Sequence, residues 1–329
     1  MSAGNESLFI FGSELMGRGA PTKTDRIVGI AIFLLALSAL ILGCYNIYVI
    51  RKMPIFHNAF GCFWASRTVG EVGSNLVHVL YSGPVTIFQF HNLSPAFGIT
   101  AFQIGYYCAI QACVMHMVVS ANRTLAVCVP VKYSIIFTKR ICAMLVVMCW
   151  VVVLLILSSY LVFPCNAVGY SPTLYEYVFV KCRPDLDRNH SLVGTFVNRF
   201  CFAVCFIPML FDLVTLIKII QIKKTGLQCQ KFSRNVRFFC QTSVQNMTMM
   251  VALTLIVVVN NSSEDGLTLQ ILAFCTLILT HLNNALALIL FNPEVRARFV
   301  GSRPVCPVVE LGHKHEQTKA TTDSWNHHH

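Results

Sequence analysis

Ser120-Ala-Asn-Arg-Thr-Leu-Ala-Val-Cys-Val-Pro-Val-Lys-Tyr-Ser-Ile-Ile-Phe-Thr-Lys-Arg140 is the stretch that decides the fold. Upstream of it, the apolar run from Phe97 to Ala121 is long enough to cross a bilayer and ends at the Asn122-Arg123 pair. A short basic loop with Pro130, Lys132, Lys139 and Arg140 then feeds the next apolar run. A helix that crosses about 30 Å of hydrocarbon and stops at a guanidinium delivers that arginine to the inner membrane surface.

The rest of the chain agrees. Of 329 residues 55% are apolar and 12% charged, against roughly 25% charged in soluble domains, so most of the chain cannot face water. A net charge of +11 would suggest nucleic acid for a soluble domain, but here the charge lies in loops, so no nucleic-acid partner is expected and the lipid bilayer is. Six further runs have spanning length: Ile27 to Ile50, Ala59 to Gly83, Ile141 to Phe163, Leu192 to Ile217, Val236 to Val259 and Leu267 to Phe291. The second is the weakest, because Arg67, Glu71 and His78 lie inside it. Only a fully hydrogen-bonded helix is tolerable at that depth, so an all-α bundle of seven transmembrane helices is expected.

Orientation follows from Lys and Arg in short loops. Arg51-Lys52 follow the first span, Arg123, Lys132, Lys139 and Arg140 the third, and Lys218, Lys223, Lys224, Lys231, Arg234 and Arg237 flank the loop after the fifth. The opposite loops are poor in unbalanced cations, which places the N-terminus outside. Asn-x-Ser/Thr sequons at Asn5, Asn92, Asn189 and Asn260/Asn261 put a candidate glycosylation site in every outer segment. The expected organisation is an outer segment over 1–26 without a cleavable signal peptide, a seven-helix bundle over 27–291, an amphipathic helix over 292–300 and a disordered inner tail over 301–329. The helix rests on Asn292-Pro-Glu-Val-Arg-Ala-Arg-Phe299, where Pro293 suits a first turn and arginines follow.

Several of these features resemble rhodopsin-like G-protein-coupled receptors. Arg123 with Pro130 and Lys132 resembles the end of that family's third helix and second inner loop, although Asn122 and Thr124 stand where an acid and a tyrosine are usual. Asn46, Trp150 and Pro208 look like the marker residues of helices one, four and five. Asn284-Ala-Leu-Ala-Leu288 stands where Asn-Pro-x-x-Tyr would be, and Thr68 where the family has its sodium-site aspartate. The sequence is more narrowly similar to nematode serpentine receptor class x. Phe56-His-Asn-Ala-Phe-Gly-Cys-Phe-Trp-Ala-Ser-Arg67, Tyr81-Ser-Gly-Pro-Val-Thr-Ile87, Pro164-Cys165 with Cys182, and Arg237-Phe-Phe-Cys-Gln-Thr-Ser-Val-Gln245 carry that similarity. It implies a chemoreceptor in the plasma membrane of sensory neurons, binding an external small molecule or peptide and signalling through a heterotrimeric G protein.

On this resemblance, Asn122, Arg123, Pro130 and Lys132 are the expected coupling surface, while snorkelling as a topology anchor is the other account of Arg123. The missing acid predicts either ligand-free signalling or a restraint made elsewhere. Gln103, Tyr106 and Tyr107 on the third span and Asn198 and Arg199 on the fifth are candidate ligand contacts. Asn46, Arg67, Thr68, Glu71, Asp212 and Asn284 make an intramembrane polar set, in which Arg67 and Glu71 share a helix face at i, i+4 and Asp212 has Arg67, His116 or Lys218 as possible partners. Gln241, Thr242, Gln245 and Asn246 cluster in the inner half of the sixth span. Of the 15 cysteines, Cys165 and Cys182 are the two in or beside an outer segment, which favours their pairing; the others are expected to be small buried thiols. An enzyme has little support, since Ser171 in Gly169-Tyr-Ser-Pro172 is a loop residue with nothing to bring it to His281, and no metal-ligand or cofactor spacing is present. A small transporter would need broken or repeated helices, and a receptor-like protein without coupling is the remaining alternative.

Overall fold

The computed structural model describes residues 9–224, 230–261 and 266–301. Asn5, the side chain of Asn261 and the tail beyond 301 therefore lie outside the described residues. Helix α1 (Lys23–Lys52) is followed by α2 (Ala59–Val77), which runs through a π-turn at His78–Ser82 into α3 (Gly83–Phe88). Then come α4 (Pro95–Cys128), α5 (Pro130–Ile136), α6 (Lys139–Val162), strands β1 (Val168–Ser171) and β2 (Glu176–Phe179), α7 (Leu192–Lys224), α8 (Gln230–Asn261), α9 (Leu267–Phe291) and α10 (Pro293–Phe299). Six of these helices, α1, α4, α6, α7, α8 and α9, are long and apolar enough to cross a membrane. The composite α2 to α3 completes seven, and its ions are what set it apart.

Several helices start where the sequence provides a partner for the orphan N–H groups. Thr22 and Asp25 form a reciprocal capping box on α1, Asn58 Oδ1 accepts from the N–H of Gly61 at 3.1 Å on α2, and Asn292 accepts from Glu294 and Val295 on α10. Prolines occupy the first turns of α4, α5 and α10, where a missing N–H costs nothing. Two expectations change at the inner face. The third span does not stop at Asn122-Arg123 but continues to Cys128, and the expected loop after it contains α5. The hydroxyl of Thr124 donates back to Ser120 O at 3.0 Å, so a residue that reads as the end of the apolar run sits comfortably inside the helix.

Helices α2 and α4 form the most intimate pair, and small residues make it possible. A Cβ on Gly70 would lie 2.6 Å from the Cys108 carbonyl oxygen and 3.1 Å from the Ala112 nitrogen, so backbone meets backbone there. Val295 is fully buried and Phe299 packs edge-on against Tyr45, which docks the amphipathic α10 on α1.

The outer end is closed by chain. Strands β1 and β2 pair antiparallel, Val168 with Phe179 through Ser171 with Glu176, and all four β1 residues are buried. The Cys165–Cys182 disulfide, with Cα atoms 5.3 Å apart, ties the base of this hairpin. The N-terminal segment tucks in beside it. Gly17 N–H donates to Phe90 O and Gly19 N–H to Gln89 O, and Arg18 donates to Thr173 O and pairs with Asp25, which also accepts from Tyr175. Leu15 is wedged against Gly98 and Gly169.

Substituting Gly70→Val should force α2 and α4 apart and destabilise the bundle by about 1–3 kcal/mol or more. A thermal midpoint in detergent equal to that of the unaltered chain would show that the two backbones are not held at this distance.

Candidate functional site

The polar residues that the hydrocarbon should exclude converge in the bundle interior. Arg67, 1% exposed, donates from Nε to Glu71 Oε1 at 3.0 Å and from Nη1 to Gln245 Oε1 at 3.1 Å, with its guanidinium 5.1 Å from the Trp64 ring centre. Glu71 Oε1 also accepts from Asn284 Nδ2 at 2.8 Å, and Gln245 Nε2 donates to Asn284 O at 3.2 Å. Asn46 Nδ2 donates to Ala285 O at 3.0 Å. These bonds join α1, α2, α8 and α9 through one connected set. Thr68 stays apart from it, its hydroxyl donating to Trp64 O in its own helix.

A second cluster links α4, α7 and α8. Asp212 accepts from Thr242 Oγ1 and Ser243 Oγ, both at 3.3 Å, and from Asn246 Nδ2. Asn246 in turn contacts His116 on α4. Among the described residues Asp212 thus pairs directly with none of Arg67, His116 or Lys218, the three expected partners. The rotation of α8 instead aims a hydroxyl-rich face at it.

At the inner mouth, the Arg123 guanidinium lies over the Phe60 ring, 3.4 Å from its centre. Asn122 is 1% exposed and donates from Nδ2 to Tyr133 Oη at 3.0 Å, tying α4 to α5. Thr124 Oγ1 meets Thr215 Oγ1 at 2.9 Å on α7. Arg123, Ala126, Val127, Asp212, Thr215, Phe239 and Thr242 surround a cavity of about 20 Å³, room for one water. Pro130 opens α5 and, like Lys132 on the same helix, is exposed.

The outer candidates divide. Tyr106 packs against Phe102 and Tyr177, inside an aromatic cluster with Tyr160, Tyr170 and Phe274 under the hairpin. Gln103 and Asn198 are partly buried. Tyr107 donates to Trp150 O at 3.2 Å and so faces α6, while Arg199 is exposed on the side of α7 away from its buried stripe of Val193, Val197, Cys201 and Val204. The geometry removes both from a pocket among α4, α7, α8 and α9. Asn92 and Asn189 are exposed in outer loops.

The missed participants are Phe60, Tyr133, Thr215 and Ser243. Each is an ordinary residue whose role depends on which helix faces it, and no local pattern marks it.

Comparison with known proteins settles the family. The family described as serpentine type 7TM GPCR chemoreceptor Srx matches residues 33–292, most of the chain. The chain belongs to the Srx family. Serpentine receptor class X 45 of Caenorhabditis elegans is 28% identical over 123 residues, which is 37% of this chain and 34% of that relative, so the chain matches about a third of the relative's length. The crystal structure of squid rhodopsin superposes with a TM-score of 0.71 at 12% identity, covering 97% of this chain and 90% of that one, and shows the shared fold.

One titratable group of this Srx chain lies at the outer lid. Glu176 on β2 accepts from Gln270 Nε2 of α9 at 3.1 Å, and burial pushes its carboxyl up to about 7. The folded protein therefore favours the neutral form. The associated stability is complete below the ordinary carboxyl range and is lost as pH rises through about 7. The thermal midpoint should fall between about pH 4.5 and about pH 7, and Glu176→Gln should flatten that fall; an equal fall in the variant would assign it elsewhere. For the interior pair, Glu71→Ala strands a buried guanidinium and should cost about 3–5 kcal/mol, whereas Arg67→Met with Glu71→Leu should recover much of it. Unfolding measurements that find the double variant as unstable as the single one would contradict this.

Proposed function

We propose that this chain is a chemosensory receptor of the plasma membrane of sensory neurons, which binds an external small molecule or peptide and signals through a heterotrimeric G protein. The family description supports it, and the observation that carries it is the way α8 is held at the inner mouth. Thr242, Ser243 and Asn246 all bond to Asp212 on α7, beside the cavity that Arg123 lines. At about 0.5–1.5 kcal/mol per hydrogen bond, three such contacts hold the closed state by a few kcal/mol. That is the scale on which a ligand can shift a two-state equilibrium.

Arg123, Pro130 and Lys132 form the proposed coupling surface, and buried Asn122 supports it from beneath by tying α4 to α5. The restraint that the acid before the arginine would supply is moved to Asp212, which holds α8 directly. Loosening these bonds frees the inner half of α8 and opens the cavity to the partner, with Arg123 at its floor. The outer ligand site is proposed near Gln103, Tyr106 and Asn198, beneath the hairpin. A receptor-like protein without coupling is the second reading, favoured by the neutral Asn122 and by Ala285 and Leu288 in the altered helix-seven motif.

Nucleotide exchange on heterotrimeric G proteins by the purified chain in lipid nanodiscs distinguishes the two. Without ligand, Asp212→Ala removes all three bonds and should raise exchange by roughly tenfold or more, the lower end of what they contribute together, and adding Arg123→Ala should abolish the gain. Unchanged basal exchange in Asp212→Ala would sink the relocated restraint. Exchange that survives Arg123→Ala would sink the coupling role.

A further inference from the structure

Cys113 on α4 and Cys201 and Cys205 on α7 bring their three Sγ atoms within 4.8 Å of one another, the one such group of potential metal ligands among the described residues. Met249 on α8 completes the set. Its Sδ lies 3.2 Å from Cys205 Sγ and 3.7 Å from Cys113 Sγ. Cys201, Cys205 and Met249 are buried and Cys113 is partly exposed, which leaves an approach to the group. Cys201 and Cys205 share one face of α7 by their i, i+4 spacing, and α4 and α8 bring the other two sulfurs to it.

We propose that Cys113, Cys201, Cys205 and Met249 form a binding site for a soft monovalent metal ion, Cu(I). The donor set is all sulfur, and thiolate with thioether selects Cu(I) over harder ions. Metal–sulfur bonds of about 2.3 Å place the sulfurs of a trigonal site about 4 Å apart, so the present spacing needs only a small adjustment. The ion enters as one cation, and each thiol that coordinates it binds as thiolate and releases its proton to water. The bound ion joins α4, α7 and α8, so it stiffens the same three helices that Asp212, Asn246 and His116 connect nearer the inner face. The site stands on its own geometry and does not depend on G-protein coupling.

The test uses the full-length chain in lipid nanodiscs under anaerobic reducing conditions, titrated with Cu(I) in competition with bathocuproine disulfonate. The unaltered chain should retain one tight equivalent, and X-ray absorption should show sulfur neighbours only. Cys201→Ser with Cys205→Ser should lose that equivalent, while Cys44→Ser with Cys62→Ser, at exposed thiols, should keep it. Met249→Leu conserves volume and so preserves folding. Even outer-shell changes cost about 10- to 100-fold in metal affinity, so this variant should weaken binding at least as much, and it carries the test if the double cysteine variant does not fold. Tight binding that survives in Met249→Leu and in the folded double variant would overturn the proposal. So would preference for Zn(II), or a Cys113 disulfide to Cys201 or Cys205 that persists under reductant.

Discussion

A guanidinium buried in a membrane bundle constrains everything packed around it. Arg67 cannot be left to hydrocarbon, and neutralisation by Glu71 within its own helix makes insertion of α2 tolerable. That pair satisfies only part of their hydrogen-bonding capacity, so Gln245 and Asn284 are drawn in from α8 and α9. The requirement thereby fixes the rotation of three helices about one point.

Close packing is the second consequence. Arg67 and Glu71 can meet α8 and α9 only if α2 lies deep in the bundle; Gly70 on the same helix lets α4 approach it at backbone distance, and Gly73 makes room for the Cys108 side chain. Small residues on one side and ions on the other make α2 at once the least apolar span and one of the most buried. Apolarity and depth are decoupled where the neighbours of a helix are protein on most sides.

The seven spans and the docked α10 were legible because apolar run length and Pro293 each report on one helix alone. The Arg67–Glu71 pair was legible for the same reason, since both partners share one helix. What required a second helix was not. Asp212 meets Thr242, Ser243 and Asn246, and Cys113 meets Met249, only through the relative rotation of α4, α7 and α8. In a soluble helix an apolar stripe would betray that rotation, but lipid accepts the same side chains as the core, so the stripe is faint. Tyr107 and Arg199 were misplaced on this account, and α4 was ended too early because Thr124 satisfies its hydroxyl within the helix.

The contact between Asn122 and Tyr133 has a consequence for the chemistry of the inner face. An acid at that position could take up a proton and release its partner; an amide has none to take up. Its phenol partner ordinarily titrates near 10 and burial pushes it higher. The bond between α4 and α5 is therefore electrically silent throughout the range that a living cytosol explores. Acidification of the cell interior leaves this joint untouched, so α4 and α5 stay tied when protons accumulate on the inner side.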